Sequence, residues 1–391
     1  MTSLLFCGPL ESGVHGVAVY SRETLRSLAR LAPVGVVSDT VVDDDVWATC
    51  DGLFMSDEMP ARTPVIGVLG NHPQNLPSYE LMSHSGLNVA VLHDAQLLDL
   101  MVAANRDLQD VAEDLQEFLG RTVDIKDVVG WLQARPSLPG PALPSRLRDV
   151  ETVVVHSPAQ AADLQQRGVR AQYVPVALRG RFGDPAGNLR HRSTDGPPVR
   201  LPNAHFQLAS FGYLNQSKMI PTMINALSLL VAWGFDAGLT LVGTAEGGEE
   251  AVLRHAQLLG LHDRVVLTGP ISAQGYGQYL RTVDLALQLR SPLFGQLSGG
   301  LADALEAGLP TVASACLIDA MPDLPEFSHP VEDHASSLLV AERLANVLER
   351  DLHVERPKAA WAAFMRRHSF QNYAAALLDF AGRSTTRARI T

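Results

Sequence analysis

The sequence predicts an α/β protein made of two doubly wound, parallel-sheet domains, and three observations lead there. Short apolar runs alternate with amphipathic stretches along the chain, the pattern of repeated βα units. At 391 residues the chain is too long for one ordinary domain and suits two. Between two alternating sets lies Arg179 to Asn203, a stretch rich in Gly, Pro, Arg and Asp with no periodicity that reads as a linker. In open α/β sheets ligands sit beyond the carboxyl ends of the strands, so the two domains are expected to face each other across a ligand cleft.

The elements follow in order. Ser3 to Cys7 reads as a strand and leads through a Gly-containing loop to a helix from Val17 to Leu31, where Val17, Tyr20, Thr24, Leu25, Leu28 and Leu31 recur at helical spacing and Pro33 supplies the stop. Further strands are expected at Val34–Val37, Gly52–Met55, Pro64–Leu69, Val89–Leu92, Val153–Val155 and Tyr173–Val176, with a helix over Gln160–Gln166. Between Asp94 and Arg148 lies a mostly helical insertion closed by the Pro-rich RPSLPGPALPSR. Its acidic residues Asp107, Asp110, Glu113, Asp114 and Glu117 suit either a solvated helix face or a negative lip over a binding cleft. Beyond the linker, strands are expected at Phe206–Phe211, Leu239–Val242, Val265–Leu267, Leu285–Leu289 and Thr311–Ala313 with helices between, and the end, about Arg356 to Gly382, is helical again.

Composition narrows the classes. A hydrophobic fraction of 46% fills two cores, and charged residues at 19% argue against extensive disorder. A net charge of −11 disfavours nucleic acid and anionic membrane surfaces and suits a cationic small-molecule partner, although an acidic solvated surface gives the same number. No apolar run reaches the length of a membrane span; Met223 to Phe235 is interrupted by Asn225 and Ser228. The segment MTSLLFCGPLESG carries no basic leader, so a cytoplasmic protein is expected. Cys7, Cys50 and Cys316 lie in apolar surroundings without metal-ligand spacing, as buried thiols in a reducing compartment do.

Four local signals carry chemistry. In RSPLFGQLSGGLADALEAGLPTVAS, Arg290 to Ser314, the turn Leu297-Ser298-Gly299-Gly300 opens a helix that Gly308 and Pro310 end. Small residues at a helix start leave backbone N–H groups reachable, and with the helix dipole they suit a phosphate. Lys218, one of three lysines (126, 218 and 358) among 31 basic residues, follows a strand and a short loop just before a helix over Pro221–Leu230. There it serves either as a point charge on a phosphate or as a solvated loop residue. The Gly-rich loop Gly8 to Val17 lacks the GxGxxG spacing; it reads equally as a tight turn or as a place for close ligand approach. His93-Asp94 ends a strand and points to the expected cleft, where a lone His can also be structural.

Taken together, these segments resemble the retaining glycosyltransferases of family 4, which have two Rossmann-like domains in the GT-B arrangement, and the resemblance covers nearly the whole chain. It rests on FGYLNQSKMIPTMINAL, on RVVLTGPISAQGYGQYLRTVDLALQLRSP, on LSGGLADALEAGLPTVAS, and in the first half on VLGNHPQNLPSYELM, VAVLHDAQLLDL and VVVHSPAQAADL. It implies an acceptor-binding domain over 1–180, with a C-terminal helix at about 366–385 packing back on it, and a nucleotide-sugar domain over 204–365. The sequence departs from the family pattern where two Glu usually flank the donor helix start: here stand Gln296 and Asp303, slightly closer together, with Glu306 one turn later. The Arg that often follows the Gly at 212 is Tyr213, and Asn75 stands where a bacterial branch often has His.

The resemblance also implies a reaction and a set of roles. A hexosyl group moves from a nucleotide sugar, most simply a UDP sugar, with retention at the anomeric carbon and without metal or cofactor. Lys218, with Arg290, would hold the donor diphosphate beside Gly212 and the N–H groups of Ser298, Gly299 and Gly300. Gln296, Leu297 and Asp303 would line the donor, and Gly13 and Gly16 would approach it from the other domain. His93 would orient the donor sugar, giving His93 and Lys218 the catalytic roles. Glu11, His15, Asn71 and Asp94 would meet the acceptor. The acidic balance favours a soluble, amino-bearing acceptor, and the sequence resembles the branch that builds aminoglycoside antibiotics on an aminocyclitol core. A polysaccharide or lipid-linked acceptor, a nucleotide-sugar epimerase and a non-catalytic donor-binding partner remain the alternatives, with a monomer or homodimer expected.

Overall fold

The apolar runs of the first half pair side by side into one parallel sheet. The computed structural model describes residues 2–11, 16–39, 42–84, 86–105, 107–133, 140–180, 200–245, 248–291, 298–321, 323–352 and 358–387. The described residues fall into two compact units: those up to Ala177 together with those from His368, and those from Leu178 to Arg367.

The first unit runs β1 (Leu4–Cys7), α1 (Gly16–Ala29), β2 (Val34–Val37), α2 (Asp44–Trp47), β3 (Gly52–Phe54), β4 (Val65–Leu69), α3 (Leu76–His84), β5 (Val89–Leu92), α4 (Leu98–Ala104), α5 (Leu108–Leu119), α6 (Ile125–Gln133), β6 (Thr152–Val155), α7 (Pro158–Gln166) and β7 (Ala171–Tyr173). The strands form a parallel sheet in the order β3-β2-β1-β4-β5-β6-β7. Strand order reverses between β1 and β4, which makes a switch point where neighbouring connections leave in opposite directions. Both faces are covered, so the strands read as unbroken apolar runs and β1, β2, β4 and β5 are buried at every residue.

The second unit runs β8 (Phe206–Phe211), α8 (Ile220–Ala232), β9 (Ala237–Val242), α9 (Glu249–Leu258), β10 (Val265–Leu267), α10 (Ala273–Thr282), β11 (Leu285–Gln288), α11 (Gly299–Glu306), β12 (Thr311–Ser314), α12 (Ala315–Asp319), β13 (Ser328–Val331), α13 (Ser337–Asn346) and α14 (Lys358–Arg367). Its parallel sheet has the order β10-β9-β8-β11-β12-β13, with the switch point between β8 and β11. Met223, Ile224, Leu227 and Leu230 of α8 pack with α13 on one face, and Tyr279, Leu280, Ala304 and Ala307 fill the other. A final helix, α15 (Phe370–Arg387), lies on α1 of the first unit and buries Tyr373, Ala374, Leu377 and Ala381 there.

Several expectations are corrected. The strand expected at Tyr173–Val176 is Ala171–Tyr173, because the Val174 and Val176 carbonyls accept from His156 and His368 side chains instead of a neighbouring strand. Strand β13 is absent from the sequence reading: Ser-His-Pro-Val is neither apolar nor alternating, and it stands at the sheet edge, where a Pro is tolerated. The C-terminal helical stretch is two helices, and Ser369 caps the second through its Oγ to the Asn372 N–H at 3.2 Å. In the acidic face, Asp107 caps α5 and Asp114 accepts the Ser145 N–H, 31 residues away, at 2.8 Å, so these two carboxylates bind backbone. Cys7 is fully buried, whereas Cys50 and Cys316 are half-buried. Most of the expected linker, 181–199, lies outside the described residues. No helix among the described residues is long and apolar enough to cross a membrane.

Candidate functional site

The carboxyl ends of β8 and β11 flank the switch point of the second sheet, and the sequence sends its unusual residues there. After Phe211 the chain turns on Gly212, whose φ of +103° suits a residue without a Cβ. It then passes through a 3-10 turn at Gln216–Lys218, and Met219, at φ +52°, redirects it into α8. This path returns the Lys218 side chain under the end of its own strand. Lys218 is 2% exposed, and its Nζ donates to the Phe211 carbonyl and to Gln288 Oε1, the latter at 3.2 Å. Neither partner carries a charge. Burial, with the Arg290 guanidinium adding a like charge, pulls the ammonium pKa down to about 7.

Helix α11 starts at the same place. Ser298, buried, caps it by accepting the Leu301 N–H at 3.1 Å. Helix geometry leaves the N–H groups of Gly299 and Gly300 without an intrahelical acceptor. The two glycines differ. Gly299 is exposed, with open space where a Cβ would stand. Gly300 is buried, and an added Cβ would collide with the Phe211 carbonyl oxygen that receives Lys218. The second glycine thus lets the first turn of α11 lie directly on the end of β8. The Arg290 N–H is anchored on Ser314 Oγ at 2.9 Å. Gly212, Lys218, Arg290, Ser298, Gly299 and Gly300, all expected at the donor, therefore come together.

Asp303 stands further along α11. Its carboxylate stands 4.0 Å from Arg179 Nη2, and the buried Glu306 accepts the Arg179 N–H at 3.1 Å. The two acids hold the chain at Arg179 against α11. Gln296 and Leu297 lie outside the described residues, as do Gly13 and His15.

In the first unit His93 follows β5, its N–H bound to the Leu69 carbonyl at 2.9 Å. Its ring meets the edge of Tyr20 at 4.7 Å between centroids and lies 5.2 Å from the His156 ring. Burial and the neighbouring imidazole push its pKa well below the ordinary value, so the ring is neutral. Its Nε2 is buried and makes no hydrogen bond to any described residue. Asn71 is engaged at both side-chain atoms: its Oδ1 takes the Asp99 and Leu100 N–H groups at 2.8 and 3.2 Å, and its amide donates to Asp99 Oδ2 at 2.7 Å. It caps α4, whose own cap position, Leu97, offers no capping side chain. Asp94 accepts the Asn71 N–H at 2.8 Å and fixes that cap. Gly16 opens α1 with free space around it. Glu11 is exposed, accepts from Gln74 Nε2 at 3.1 Å, and lines a cavity of about 260 Å³ with Gly8, Leu10 and Pro77. A second cavity of about 290 Å³ shares Val37, Ser38 and Pro77 with it and is lined by Asp39, Asp57, Glu80 and His84.

Three of these residues escaped the sequence reading. In the sequence Tyr20 stands out only as a helix-face residue, and His156 stands after β6 as His93 does after β5. Gln288 was visible as a lone amide in the apolar run LALQL; a buried amide in such a run needs a partner.

No protein-family profile matches the chain, and no curated protein sequence does. Solved structures match it over its full length. The UDP-forming α,α-trehalose-phosphate synthase from Burkholderia xenovorans is similar at a TM-score of 0.61 and 12% identity, over 97% of this chain and 99% of that one. A glycosyltransferase from Rickettsia africae reaches 0.59 at 12% over 98% and 99%. Anabaena HepE, in complex with UDP and glucose, reaches 0.54 at 15% over all of both chains. The likeness fixes the fold: two Rossmann-like units of the class found in GT-B glycosyltransferases.

Proposed function

We propose that this protein is a retaining, metal-independent glycosyltransferase of the family 4 type that takes a hexosyl group from a UDP sugar. The observation that carries the reading is electrostatic. A buried Lys218, pressed by a second cation and partnered among the described residues only by neutral oxygens, sits at a sheet switch point beside the first turn of α11. A charge so placed is poorly compensated until an anion arrives. A nucleoside diphosphate brings that anion within reach of Lys218, Arg290 and the Gly299 and Gly300 N–H groups. The binding of UDP or its sugars by HepE supports the choice of nucleotide.

In this reading the acceptor hydroxyl attacks the anomeric carbon from the face the diphosphate leaves. The C–O bond to the β-phosphate breaks, the new glycosidic bond forms, and the hydroxyl proton passes to the departing phosphate oxygen. Lys218 and the helix start stabilise the charge that grows on the leaving group. His93 acts as a neutral ring that hydrogen-bonds and orients the sugar through Nε2, not as a cation. The acceptor is an amino-bearing small molecule of the aminocyclitol class, as in aminoglycoside antibiotic assembly. A net charge of −11 and the carboxylates of Glu11, Asp39, Asp57 and Glu80 lining the two cavities support a cationic guest.

The test is a panel of UDP sugars against aminocyclitol acceptors, with products read by mass spectrometry and anomeric configuration by NMR. One acceptor gaining a hexosyl mass with retained configuration is the expected result. Donor conversion without any acceptor would instead make the protein an epimerase or hydrolase.

A further inference from the structure

Gln288 occupies an unusual place. It is the last residue of β11, 1% exposed, in a strand whose other residues are Leu, Ala and Leu. Its Oε1 accepts from Lys218 Nζ at 3.2 Å and would stand 3.1 Å from a Cβ at Gly300, so it lies between the lysine and the first turn of α11. Its Nε2 is buried without a hydrogen bond to any described residue. An amide with an unmet N–H is expensive to bury in a sheet, and a Leu would pack there without that penalty.

We propose that Gln288 is a positioning residue that parks the Lys218 ammonium without neutralising it, keeping the charge available to the donor diphosphate. The inference rests on the nucleotide-sugar reading above and specifies how that site is primed. The side chain must be an acceptor, because among the described residues Lys218 has only the Phe211 carbonyl besides it. It must also be neutral. A carboxylate in the same place would form a buried ion pair with Lys218, satisfy its charge, and set a second negative group against the incoming phosphates. The surroundings of Lys218 reinforce this: burial and the Arg290 cation both oppose its charge, and neither is offset by a described carboxylate.

The chain holds only three lysines, so each is separately observable. In protein labelled with ¹³Cε-lysine, the signal missing from Lys218→Met identifies Lys218, and its titration is followed by NMR in wild type, Gln288→Glu and Gln288→Met. UDP affinity is measured calorimetrically on the same proteins from pH 7 to 9, above the last phosphate ionisation. Wild-type Lys218 is expected to titrate near neutral pH. In Gln288→Glu it moves up by at least two pH units, and UDP binding at pH 7 weakens at least tenfold and loses its pH dependence. In Gln288→Met, which removes the acceptor at constant bulk, the titration moves down. Unchanged Lys218 titration in both variants, or Gln288→Glu binding UDP as tightly as wild type, overturns the proposal. If the titrations move as described but wild type binds no UDP, Gln288 still positions Lys218 and it is the nucleotide-sugar reading that fails.

Discussion

Lys218 combines a location and a charge that oppose each other, and the conflict has a sign that can be measured. Its pKa is about 7 in the folded chain against an ordinary 10.5. Below pH 7 the folded protein carries the full penalty of a buried ammonium. Between pH 7 and 10.5 the unfolded chain holds the extra proton, so the penalty fades as pH rises. Lys218→Met is therefore expected to melt at or above the wild-type temperature at pH 6, with the advantage, on the order of 1–3 kcal/mol, shrinking toward pH 9. Thermal denaturation at the two pH values checks this, and an advantage that grows with pH would contradict it. His93 gives a second prediction. Its ring is neutral across the physiological range, so turnover should show no histidine limb between pH 5.5 and 8, and His93→Ala should lower kcat far more than it alters melting. At this scale the sequence revealed residues by rarity: a single Lys in its segment, a lone His after a strand. It did not reveal partners. Asn71 and Asp303 are polar residues near the expected site, yet Asp99 and Arg179 claim them, and no local pattern announces a contact across tens or more than a hundred residues.

Helix α11 shows how one element can carry both packing and binding in adjacent residues. Gly300→Ala puts a methyl group into the Phe211 carbonyl and is expected to destabilise by about 1–3 kcal/mol. Gly299→Ala meets open space and should leave the melting temperature unchanged or slightly raised, since Ala is the better helix former. Equal melting of the two variants would mean that α11 does not lie on the end of β8. Elements were legible where one rule acted alone. Strands buried on both faces announce themselves as runs of Val, Leu and Ala, and α1 by its apolar spacing. β13 was not, since an edge strand needs neither burial nor alternation and this one contains His and Pro. The break between α14 and α15 also lacks a Gly or Pro; Ser369 makes it by capping.

At the scale of the molecule, two parallel sheets with separate cores hold the chain, and α15 belongs to the core of the first. Leu377 is fully buried there. Leu377→Ala is expected to destabilise the first unit by about 2–5 kcal/mol. Calorimetry should show the transition of that unit moving down while that of the second unit stays. The division into two sheets was readable from length, the alternation of runs and the aperiodic stretch between the two sets. The chemistry was readable only in part, because an anion site made by a buried lysine, an amide and a helix start depends on where a backbone turn sends one side chain. The most direct test of that site is calorimetric titration of UDP into wild type and Lys218→Met at pH 7. Wild type should bind saturably, and the variant, still folded by circular dichroism, should bind about 10- to 100-fold more weakly, as loss of a charge-assisted contact requires. Equal affinity in the two proteins, or no binding by wild type, would contradict a diphosphate held by Lys218 at the switch point of the second sheet.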